Sequence, residues 1–176
     1  MRGAGTGPGS LLEEALDAWA DARRGVIAEL RCVPPGQIGF RPDPGARSVA
    51  EIGQHVADTA LMWCGELANP AGDFTRMSFP EFMQLYGTPA SSRPPAKGGL
   101  VRLLRATHAA GVRQIRAAGE VGMLQTIRRF DGALWTRLAW MQHGIAHEEY
   151  HRGQLALYVR LLGRTPALTK LIHGGA

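Results

Sequence analysis

The chain has only two cysteines, Cys32 and Cys64, with no CxxC spacing, which excludes a disulfide framework and leaves both as expected free thiols. No apolar run approaches the roughly 18 to 20 residues of a membrane span. The start, Met1 to Ser10, is glycine-rich and lacks the apolar core of a signal peptide, so a cytoplasmic protein with no membrane partner is expected. There is no G-x-S-x-G elbow, no phosphate loop and no dinucleotide fingerprint. A basic tail and interleaved aromatic and basic residues are missing too. The net charge of +5 and pI near 9.9 therefore do not point to nucleic acid, because acids such as Glu13, Glu14, Asp17 and Asp21 sit among basic residues such as Arg23 and Arg24 on what read as solvated helix faces.

What is present is enough for one core: 176 residues, 45% hydrophobic. Periodicity and punctuation predict four long helices. The first runs from Leu11 to Leu30, with Ser10 and Glu13 as a capping box, and Pro34-Pro35-Gly36 ends it. The second opens at Ser48, boxed by Glu51, and runs to Leu67 before Asn69-Pro70. A long connection, Asn69 to Gly99, follows; it is expected to hold one short helix, Phe79 to Tyr86, capped by Ser78 and Glu81, and to cover something. The third helix is placed at Leu100 to Ala118, with Gly119 to Gly132 extended around Gln125-Thr126-Ile127. The fourth spans Leu134 to Leu162 and stops at Gly163. The domain reading is a flexible start over 1–10, an all-α four-helix bundle over 11–166 and a tail over 167–176.

Of six histidines, His55 lies at the edge of the second helix's apolar stripe. His143, His147 and His151 share a sector of the fourth with Trp140, Gln154, Tyr158 and Leu161, which reads as the inward side. Imidazoles four residues apart face one way and can reach a common point, and burying two of them is costly unless something satisfies their nitrogens, which a divalent metal does. Spacing alone does not choose between His143 with His147 and His147 with His151. Cys64, half a turn from His55, is a poor ligand for the same ion. His108 and His173 have no partner and read as surface or loop residues. His147-Glu148-Glu149-Tyr150-His151 also fits the H-E-x-x-H pattern of zinc peptidases. The longer form of that pattern fails at Gln154 and Leu157, and no acid follows as a third ligand, so Glu148 reads as an ordinary polar helix residue.

Two segments, Arg41-Pro42-Asp43-Pro44-Gly45-Ala46-Arg47-Ser48-Val49-Ala50-Glu51-Ile52-Gly53-Gln54-His55-Val56-Ala57-Asp58 and His143-Gly144-Ile145-Ala146-His147-Glu148-Glu149-Tyr150-His151-Arg152-Gly153-Gln154-Leu155, the latter followed by Leu161-Leu162-Gly163, resemble the DinB-like (DinB/YfiT) superfamily, with the helix layout extending the likeness from Leu11 to Pro166. The resemblance implies a four-helix bundle and a divalent metal held by His55, His147 and His151, with His143 as a neighbour. It also implies chemistry of the kind known in relatives, which include thiol-dependent S-transferases and a mycothiol-dependent isomerase.

The expected function is a metal-dependent enzyme in which zinc or nickel, with manganese or iron as alternatives, activates water or a low-molecular-weight thiol toward an electrophile. The competing reading is a non-catalytic metal-binding or regulatory bundle. Asp58, Gln154 and Glu51 are candidates to orient the imidazoles. Trp135, about 120° from the inward sector of its expected helix, predicts a two-fold homodimer.

Overall fold

The structure is a computed structural model describing residues 9–89 and 95–174. Apart from Gly9 and Ser10, the expected flexible start lies outside the described residues. Six helices and two short strands follow in the order α1 (Leu11–Cys32), α2 (Val49–Ala68), α3 (Phe79–Tyr86), α4 (Lys97–Leu124), β1 (Thr126–Arg128), β2 (Leu134–Thr136), α5 (Arg137–Leu161) and α6 (Ala167–Ile172). The long helices α1, α2, α4 and α5 form an all-α bundle. Helices α1 and α2 each pack against α4 and α5, so they stand diagonally opposite one another.

Local chemistry sets most boundaries. Ser48 Oγ accepts from the Glu51 N–H while the Glu51 carboxylate returns to the Ser48 N–H at 2.6 Å, closing a capping box at the start of α2. Glu81 returns to Ser78 in the same way, and α3 starts and ends where expected. At α1 only half of the expected box forms: Ser10 accepts from the Glu13 N–H, but the Glu13 carboxylate pairs with Arg116 of α4. The third long helix is longer than expected because α4 continues to Leu124 across a break at Gly119, whose φ of 70° only glycine adopts freely. The fourth is shorter. Leu134 to Thr136 pair with Thr126 to Arg128 as an antiparallel hairpin, and α5 starts only at Arg137 behind Thr136, whose hydroxyl accepts from the Ala139 N–H. Part of the expected tail forms α6, whose first two N–H groups, of Ala167 and Leu168, both donate to the buried Glu29 of α1.

The long connection is pinned to α2. Glu66 is wholly buried and accepts from the Asp73 N–H, the Arg76 guanidinium and the Tyr86 hydroxyl. Burial opposes its charge, but these partners outweigh that and hold the carboxyl below its ordinary range. Asp58 accepts from the Thr88 N–H and hydroxyl, fastening the far end. Arg137 closes the C-terminus of α2 by donating to the carbonyls of Leu67, Asn69 and Pro70. This bracing carries Phe74, Phe79 and Phe82 onto the bundle beside Phe130 and Trp140.

Candidate metal centre

Helices α2 and α5 are neighbours, and their packing closes the gap of 92 positions between His55 and His147. The Nε2 atoms of His55 and His147 are 3.2 Å apart, and those of His147 and His151 3.1 Å. One ligand atom from each of His55, His147 and His151 lies within 4.8 Å of the others. His151 is buried and the other two are half-buried.

Gln154 orients the group. Its Nε2 donates to the Tyr150 hydroxyl at 3.0 Å, which turns Oε1 toward His151 Nδ1 at 2.7 Å. Nδ1 therefore carries the proton, and the lone pair of His151 Nε2 faces the other two rings. Burial, the exposed Arg47 and the neighbouring rings push His55 down from 6.5 to about 3. Burial and the flanking His151 and His143 push His147 down to about 4. His151 is also lowered by burial, against opposing help from Gln154 and Glu148. All three are thus neutral at pH 7, the state a cation requires.

The other sequence candidates are placed elsewhere. Glu51 is occupied by Ser48 and by Arg41 at 3.0 Å, and Asp58 by Gln54 and Thr88; neither carboxylate bonds an imidazole among the described residues. His143 is not inward: it is exposed, stacked flat on Trp140 with ring centroids 4.2 Å apart. Leu161, assigned to the same sector, is 56% exposed. Trp140, His151 and Tyr158 of that sector are buried as expected, but the buried side of α5 also takes in Met141, Gly144, Ile145, Glu148 and Leu155, because α5 faces α1 as well as α2.

Glu148 and Arg23 differ most from the sequence reading. Glu148 is wholly buried and points away from the histidines, accepting from Arg23 Nε at 2.8 Å, Arg23 Nη2 at 2.6 Å and Trp19 Nε1 at 2.6 Å. Arg23, expected on a solvated face, is equally buried and also donates to the Leu104 carbonyl and the Thr107 hydroxyl of α4. This excludes Glu148 as a peptidase base at the histidine cluster. His108 is likewise no free surface residue: it packs on Trp19 at 4.3 Å, and burial together with Arg23 and Arg24 lowers it to about 4. Arg152 lies across Gly25 of α1 and pairs with Glu149; nothing in the structure explains the glycine at 153.

The sequence model of the DinB superfamily matches residues 12–155. The chain belongs to the DinB superfamily. Solved structures agree in fold: a DinB-like protein from Bacillus subtilis is 16% identical with a TM-score of 0.65, covering 86% of this chain and 93% of its own. A DinB-family protein from Exiguobacterium sibiricum is 24% identical with a TM-score of 0.59, covering 86% and 92%. No curated protein matches this DinB-superfamily chain. Among its described residues no helix is long and apolar enough to cross a membrane.

Proposed function

We propose that this DinB-superfamily protein is a metal-dependent enzyme that uses His55, His147 and His151 to hold one divalent ion, zinc or nickel in preference to manganese or iron. The observation that carries the reading is the convergence of three neutral imidazoles with the tautomer of one set by Gln154. An all-nitrogen donor set suits these borderline metals, and three protein ligands leave coordination sites for chemistry. An ion bound there supplies Lewis acidity that lowers the pKa of water or a low-molecular-weight thiol. The chain's own contribution is to keep the imidazoles unprotonated and to fix the tautomer of His151 through Gln154. Thiol transfer to an electrophile is the reaction class proposed, in line with the superfamily resemblance. A cytoplasmic location belongs to the same proposal and agrees with two free cysteines.

The test is metal analysis of protein purified without a histidine tag, followed by a screen of metal-reconstituted protein with several cellular thiols against generic electrophiles. About one ion per chain and turnover that depends on one thiol are expected. Folded, loaded protein without thiol-dependent turnover would instead identify a non-catalytic metal-binding module.

A two-fold homodimer is part of the proposal. Its expected anchor, Trp135, stands on β2 and not on a helix; it is 45% exposed beside Leu134 at 58%, although the Arg129 guanidinium covers one ring face at 4.0 Å. Light scattering at micromolar concentration should give twice 19.0 kDa, falling toward the single mass on Trp135→Ala with metal content unchanged. A parent at the single mass removes the dimer.

A further inference from the structure

Beside the histidine cluster is a cavity of about 110 Å³ walled chiefly by Trp63, Phe74, Phe79, Phe130, Trp140 and His147. His147 belongs both to this wall and to the cluster. Thr59 and His143 also line it, but among the described residues no Asp, Glu, Lys or Arg does, so a charged group entering it would lose its hydration without a counter-ion. Phe79 and Phe130 are each 44% exposed and form an open aromatic rim, while Phe74 at its base is buried. Residue 144 is glycine, which lets the Trp63 indole lie directly against α5: a Cβ there would come within 2.7 Å of it. The Trp63 N–H is itself buried with no hydrogen-bond acceptor among the described residues, a state that costs stability until an acceptor is supplied.

From these features we infer that the cavity is the electrophile subsite and takes a single neutral aromatic ring bearing one hydrogen-bond acceptor, with the ring among the phenylalanines and its reactive substituent toward His147. Size decides the ring count. A closed cavity of about 150 Å³ holds benzene, so 110 Å³ has room within its walls for no more than one ring. Aromatic walls favour an aromatic occupant through edge and offset contacts, and the Trp63 N–H selects an acceptor over a plain hydrocarbon. The inference deepens the proposed function and rests on it for the direction of the reactive end, whereas binding of the ring requires no metal.

The experiment follows 4-fluorobenzyl alcohol by fluorine NMR in chelator-treated and in metal-reconstituted protein. Saturable binding is expected in both, with 2-naphthylmethanol at least about tenfold weaker as a competitor and Phe79→Ala weakening the alcohol by about tenfold, the equivalent of ~1.4 kcal/mol. The parent should prefer the alcohol to 4-fluorotoluene, and Trp63→Phe should lose that preference. Absence of saturable binding, equal competition by the fused ring, or unchanged binding in folded Phe79→Ala would overturn the subsite. A ring that binds in protein without thiol-dependent turnover leaves the subsite standing and removes the proposed reaction; turnover without ring binding does the reverse.

Discussion

His147→Ala and His151→Ala are each expected to lose most of the bound metal, and His55→Ala to bind it much more weakly. His147 is central because its Nε2 lies within 3.2 Å of both partners, so its loss removes the shared vertex of the group. His151→Ala removes the ring that Gln154 orients. Gln154→Ala keeps all three imidazoles and is expected to weaken binding by about 10–100-fold, as loss of an outer hydrogen-bonding partner commonly does. Metal content by mass spectrometry after dialysis at neutral pH decides. If His55→Ala keeps the parent's content and His143→Ala does not, the ligand set is wrong. Acidification adds a signed expectation. Folded His55 and His147 titrate at about 3 and about 4, whereas the unfolded chain takes up protons near 6.5. Metal should be retained below pH 6 and released as pH approaches 4. Because the unfolded state binds protons first, the stability of metal-free protein should begin to fall near pH 6.5 and keep falling through about 4.

Arg23→Ala is expected to destabilise the protein by about 3–5 kcal/mol, the usual cost of removing one partner from a buried ion pair. Among the described residues Glu148 would retain only the Trp19 N–H as a donor; Thr107 would lose the guanidinium, and the Leu104 carbonyl would keep only the Thr107 hydroxyl as a side-chain donor. The double variant Arg23→Met with Glu148→Leu should recover part of that loss, since matched apolar groups carry no stranded charge, while the buried Trp19 N–H is left without its acceptor. Urea unfolding of the three proteins measures both. A loss below about 1 kcal/mol for Arg23→Ala would mean that water reaches the pair, in conflict with side chains only 3% and 0% exposed.

These two sites also mark how far the sequence could be read. Ser48 with Glu51 and Ser78 with Glu81 announce helix starts because their bonds close within three residues. The sequence pattern places the start of α5 too early, because Leu134 to Thr136 look helical alone and become a strand only by pairing with Thr126 to Arg128. The histidines could be suspected from four-residue spacing, yet the choice of His151 over His143 came from a family likeness, and the geometry then united His55, His147 and His151. Arg23 and Glu148 left no local trace. Each looks like a polar helix residue, and only a contact across 125 positions makes them a buried pair. The aromatic cavity was equally illegible, because Phe74, Phe130 and Trp140 come from separate segments. The connection between α2 and α4 did suggest a cover, and it supplies two of the phenylalanines.

His147 and Glu148 are adjacent in the chain, and successive residues point about 100° apart around α5. One faces the imidazoles of His55 on α2 and His151 on its own helix, the other is gripped by Arg23 and Trp19 of α1. The pair therefore acts as a torsional key. Turning α5 enough to reseat His147 would drag the Glu148 carboxylate out of its three bonds, and sliding it would do the same. Rotation of α5 at the histidine cluster is thus opposed from its far side by the buried bonds of Glu148.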